Sequence, residues 1–131
     1  MKTAIDTNVV VRFLVRDDER QASIARTIFT QDRVVLVASV ILEVEWVLRA
    51  GFGYDAGMLD TAFSTLLGLP NVEIVGEGEL ILALDGLRNG MDFADAFHLA
   101  HSSEADEFVT FRRDFARRTS KTPDAVPVRL L

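Results

Sequence analysis

Acidic side chains stand where apolar stretches begin or end. Asp6 closes the short run Ala4-Ile5 and is followed at once by Thr7-Asn8 and Val9-Val10-Val11. Glu43 lies within Ser39-Val40-Ile41-Leu42-Glu43-Val44-Glu45-Trp46, and Asp92 and Asp95 open Asp92-Phe93-Ala94-Asp95-Ala96-Phe97-His98-Leu99-Ala100. Asp114 follows Thr110-Phe111-Arg112-Arg113. Carboxylates brought together repel, and each resists ionisation unless positive charge sits among them. A hard divalent cation, Mg2+ or Mn2+, meets that need, because both prefer oxygen ligands, keep several waters and bind substrate phosphates. Two such ions about 4 Å apart can activate a water and stabilise the leaving oxygen of a phosphodiester. Metal-assisted phosphodiester hydrolysis is therefore the chemistry these residues suit, with Thr7 or Asn8 placed to orient a ligand or the water.

Such acids matter only if the elements carrying them meet. Lys2 to Asp6 reads as a short strand and Val9 to Val15 as a helical segment with Asn8 as a candidate N-cap. Asp17 to Thr30 is a clearer helix, with Ala22, Ile24, Ala25, Ile28 and Phe29 at helical spacing. Val34-Val35-Leu36-Val37 is a wholly apolar run of the kind a parallel strand covered on both faces shows. Ser39 can cap a helix through Leu48, ended by Gly51 to Gly53. A helix from Ala56 to Leu67, a strand at Val72 to Val75 and a helix from Glu77 to Leu87 follow. Asp92 then caps a helix from Phe93 to His101, Glu107 to Phe111 is a fourth strand, the arginines around Ala116 form a short helix, and Val126 to Leu131 is an edge strand.

Strands alternating with helices specify an α/β fold with a mostly parallel sheet and helices on both faces. Ligands in such sheets bind at the carboxyl ends of the strands, where the helix N-termini also open. That rule puts Asp6, Glu43, Asp92, Asp95 and Asp114 on one rim. On a helical wheel started at Val40, Glu43 falls within a broad apolar arc, while Glu45 and Arg49 fall in the remaining gap as a solvated i,i+4 ion pair. Glu43 is accordingly expected to point inward, where a carboxylate needs a cation or donors to offset its desolvation.

The chain has 131 residues, 49% hydrophobic and 26% charged, which fits one folded domain over residues 1–131 rather than a disordered segment. With no cysteine, disulfides, thiolate metal sites and a cysteine nucleophile are excluded. The N-terminal region lacks a basic segment followed by an apolar core, and no long apolar stretch suits a membrane span, so a cytoplasmic protein without membrane association is expected. A net charge of −6 argues against broad, non-specific attraction to nucleic acid. Arg112, Arg113, Arg117, Arg118 and Lys121 nevertheless gather near the C-terminus, a local basic patch in which Arg112 and Arg113 are candidates to meet phosphate.

Asp6-Thr7-Asn8 after a strand, Glu43 in its helical context and Asp95 in Asp92-Phe93-Ala94-Asp95 together resemble the PIN-domain family, and within it the VapC toxins of bacterial toxin–antitoxin pairs. The resemblance runs over essentially the whole chain. It implies a three-layer α/β/α sandwich, Mg2+ or Mn2+, RNA as substrate, a homodimer and inhibition by a small VapB-like antitoxin protein. It carries Asp6, Glu43 and Asp95 over as metal-site acids. Relatives often show Thr-Phe-Asp after the fourth strand, whereas this chain has Thr110-Phe111-Arg112, leaving Asp114 as the nearest carboxylate. That departure removes one ligand, weakens a second metal, or puts an arginine where phosphate can be met.

Plainer readings stand beside these. Asp92 suits an N-cap, and Asp95 three residues on could complete a capping arrangement. His98 and His101 read as packing or supporting groups, and Trp46 as a core or subunit-contact residue. A phosphatase of the haloacid-dehalogenase type also ends its first strand in an aspartate, but needs a second acid two residues later, where this chain has Asn8. A degenerate relative that binds RNA or a partner protein without cleavage is the non-enzymatic alternative.

Overall fold

The apolar run at residues 34–36 becomes the middle of a parallel sheet, and the rest of the first half is arranged around it. The structure, a computed structural model, describes residues 1–119 and 124–131; Lys121 of the basic run lies outside them. The chain divides into two compact units, Met1–Glu77 and Gly78–Leu131.

In the first unit, β1 (Lys2–Ala4), β2 (Arg33–Leu36) and β3 (Val72–Ile74) pair in that order, all parallel. The register sets Ala4 beside Val35 and Leu36 beside Ile74. Val34 and Leu36 are fully buried, as a central strand requires. Two helices fill each crossover: α1 (Thr7–Val15) and α2 (Glu19–Gln31), then α3 (Ala38–Phe52) and α4 (Ala56–Leu67). Their buried faces follow the helical period, Ala22, Ala25 and Phe29 on α2 and Leu59, Ala62, Phe63 and Leu66 on α4. Phe13 of α1 stacks on Phe29 of α2 with ring centroids 4.0 Å apart. Asp18 and Asp55 cap α2 and α4 by accepting from the N–H groups of Gln21 and Met58 at 3.0 and 2.9 Å. Each such cap is worth about 1 kcal/mol.

Two expected caps are corrected. Helix α1 begins at Thr7, so Asp6 and not Asn8 is its N-cap, accepting from the Thr7 N–H at 2.8 Å. The N-cap of α3 is Val37, which offers no side-chain bond, and Ser39 already lies in the first turn. The helix also runs past Gly51, because the left-handed residue that ends it is Gly53, at φ 69°.

The second unit holds most of α5 (Glu77–Arg88), then α6 (Phe93–Ala100), β4 (Phe108–Thr110), α7 (Arg113–Thr119) and β5 (Val128–Leu130). Strands β4 and β5 are parallel, with Phe108 beside Val128 and Thr110 beside Leu130. Phe108 stacks on Phe115 of α7 with ring centroids 5.0 Å apart and planes nearly parallel, which fixes α7 against β4. Helices α5 and α6 approach closely at Gly86, where a Cβ would stand 2.8 Å from that of Ala96. Helices alternating with parallel strands make the fold α/β, consistent with an α/β/α sandwich. Among the described residues no helix is long and apolar enough to cross a membrane.

Candidate active site

Because β1 and β2 are parallel neighbours, the segments leaving their carboxyl ends emerge on the same edge. Asp6 leaves β1 and Glu43 sits in α3 after β2, and both line one cleft of about 280 Å3 with Thr7, Asn8 and Arg12. Asp6 and Asn8 are exposed and Thr7 is buried. The hydrogen bond from the Thr7 N–H holds one Asp6 oxygen at the helix start, where the N-terminal dipole favours a negative charge. The Arg12 guanidinium is turned towards the start of α2, donating from Nε to Gln21 at 2.7 Å and from Nη1 to Asp17 at 2.6 Å. Arg12 had no place in the sequence reading. Its signal was available, since Asn8, Val11 and Arg12 share helical spacing and hence a face.

The orientation of the two glutamates is the reverse of the wheel's. Glu43 is exposed in the cleft, while Glu45 is only 1% exposed, on a face with Ile41, Val44 and Leu48. Apolar residues lie nearly all round α3, so helical spacing alone does not distinguish its inward face from its outward one. Trp46, expected in the core or at a subunit contact, is 59% exposed in this chain. The expected Glu45–Arg49 pair does form, with Arg49 Nε 3.2 and 3.3 Å from the two carboxylate oxygens, but its acid is buried rather than solvated. Arg49 thus offsets the desolvation of Glu45.

In the second unit Asp92 caps α6, accepting from the Asp95 N–H at 3.2 Å. The Asp95 side chain, 17% exposed, goes to Arg112. Nη1 of Arg112 donates to Oδ1 at 3.1 Å and Nη2 to Oδ2 at 2.9 Å, while Nη2 also donates to Asp114 Oδ2 at 3.1 Å. The Arg112 N–H is fixed on the Thr110 hydroxyl at 3.0 Å, and its guanidinium carbon lies 5.8 Å from the centre of the Phe115 ring. Hydrogen bonds to Asp114 and then Asp95 hold the guanidinium pKa above its ordinary value; the bond from Arg112 holds the Asp114 carboxyl below its own. Arg113 is exposed at the start of α7. His101 packs on the Phe97 ring at 4.3 Å, and His98 is exposed.

The candidate residues therefore fall into two local groups. Asp6, Thr7, Asn8 and Glu43 share the cleft of the first unit; Asp95, Arg112 and Asp114 are joined directly in the second. A profile of the PIN domain matches residues 3–121. The chain belongs to the PIN domain family. No curated protein matches it.

PIN domains are generally nucleases and typically use divalent metals. The donors fit such an ion in kind, since Asp6, Glu43, Asp95 and Asp114 all offer hard oxygens. Among the described residues, however, no three His, Cys, Asp or Glu side chains form a group able to hold a metal. In this PIN domain the Asp95 and Asp114 oxygens are instead engaged by Arg112.

Proposed function

We propose that this PIN domain is a Mg2+- or Mn2+-dependent endoribonuclease, the toxin of a VapC-type pair, acting in the cytoplasm as a homodimer restrained by a VapB-like antitoxin. One observation carries the nuclease reading: Asp6 and Glu43, from different crossovers, share a cleft with Asn8. Family membership alone would be satisfied by a chain with no acids there.

A divalent cation drawn to the carboxylates of the cleft, Asp6 and Glu43, would offset the charge of a phosphodiester and lower the pKa of an attacking water, and Asp95 and Asp114 are the further acids proposed for catalysis. The chain's own groups do the rest. The α1 cap holds the Asp6 carboxylate in place, the Asn8 amide can hold a water by donating or accepting, and Arg113 offers a planar donor fork to phosphate. RNA cleavage with Mg2+ or Mn2+, with and without EDTA, tests the reading, and Asp6→Asn and Asp95→Asn should each abolish it.

A second reading has its own support. Arg112 takes up both candidate metal-ligand acids of the second unit, Asp95 and Asp114, as suits a PIN module that binds RNA or a partner protein without cutting. Absence of Mn2+ binding in calorimetry, with RNA binding retained, would favour it.

A further inference from the structure

We propose that Arg112 is a built-in counter-cation for Asp95 and Asp114, so that its guanidinium must leave Asp95 before a divalent cation can use that carboxylate, and on leaving becomes a phosphate contact. The inference rests on the nuclease reading for its phosphate. A fork-to-fork pair uses both oxygens of Asp95, the same in-plane lone pairs a cation would take. The third bond, to Asp114, places one positive charge between the two carboxylates and removes the repulsion that would otherwise draw in an ion.

The guanidinium is held in readiness rather than meeting the acids by chance. Its main chain is tied to the Thr110 hydroxyl, and it lies over Phe115, which is itself stacked on Phe108 of β4. It cannot withdraw by losing its proton, because arginine stays charged at any physiological pH. It can withdraw by exchange. The Arg112 side chain is 53% exposed, and solvent-exposed pairs are weak enough to be displaced. Once released, the same planar fork matches phosphate oxygens.

Mn2+ titration by calorimetry on the wild type, Arg112→Ala and Arg112→Gln tests this without RNA. Both variants should bind Mn2+ about threefold to tenfold more tightly, as loss of exposed pairs to two carboxylates implies. Adding Asp95→Asn to either variant should cancel the gain. If Arg112→Ala fails to fold, Arg112→Gln, which keeps a polar amide on a shorter stem and loses the charge, decides. Equal Mn2+ affinity in Arg112→Gln and wild type, or a gain that survives Asp95→Asn, would overturn the proposal. RNA cleavage is read separately: a wild type that cuts RNA with no tightening in Arg112→Gln removes this inference alone, and tightening in a chain that never cuts RNA removes the nuclease reading alone.

Discussion

Arg112 and Asp95 face each other as matched forks, with Nη1–Oδ1 at 3.1 Å and Nη2–Oδ2 at 2.9 Å, bringing the segment after β4 onto the first turn of α6. Asp95 is directed there because Asp92 already serves as the helix cap, leaving the Asp95 carboxylate available to the guanidinium. A candidate metal ligand is thus also one half of an ion pair, and its surroundings can be probed through Asp114, the other acid on Arg112.

Asp114 supplies a pH test. Its carboxyl is held below the ordinary aspartate value, so its contribution to stability is present above that value and is lost as pH falls through the depressed folded one. Thermal melts of wild type and Asp114→Asn should differ slightly at neutral pH and converge as pH falls from the usual aspartate value of about 3.9 down through the depressed folded one. A difference that persists unchanged at low pH would mean that the charge on Asp114 is not what Arg112 recognises.

The buried pair on α3 should respond asymmetrically. Glu45→Gln keeps a polar group that can still accept from Arg49, and should cost about 1 kcal/mol. Arg49→Met leaves the Glu45 carboxylate, 1% exposed, without that guanidinium and should cost about 2 kcal/mol or more. Urea denaturation of both single variants and the double variant gives the coupling directly, and the double should cost less than the sum. Additive losses would show that the two side chains stabilise the helix independently.

Gly86 is set by the closeness of α5 to α6. Gly86→Ala drives a methyl to 2.8 Å from the Ala96 Cβ, beside Asp95, and should cost about 1 to 3 kcal/mol by overpacking. Ala96→Gly in the same chain should recover part of the loss, less about 1 kcal/mol for a helical glycine. Chemical denaturation would read both, and no recovery would place the strain elsewhere, as at Met91, whose sulfur would lie 3.3 Å from the new methyl.

Much of the α/β order could be read from the sequence where local signals agree. Helix α4 runs from Ala56 to Leu67, as expected, because Asp55 caps it and Gly68-Leu69-Pro70 cannot continue it. Asp92 was legible as a cap for the same reason: a short polar side chain immediately precedes an apolar run. Helix α3 misled because Val40, Leu42, Trp46 and Val47 make it apolar on the side away from its buried face, so periodicity alone could not tell Glu43 from Glu45. The grip of Arg112 was also beyond the sequence. Its partner on α6 lies 17 residues earlier, on the far side of β4 in the sequence, and no helical or strand periodicity links two positions so far apart.

The central claim is that the acids of this PIN domain cut RNA with the help of a divalent cation. The most direct test is cleavage of a defined RNA by purified wild type and Asp6→Asn, in Mn2+ and again in excess EDTA. The account predicts internal cleavage by the wild type in Mn2+, none in EDTA, and a loss of at least about a hundredfold in Asp6→Asn, as expected when a metal-binding acid is removed from a hydrolytic centre. Equal cleavage by Asp6→Asn, or cleavage undiminished by EDTA, would contradict it.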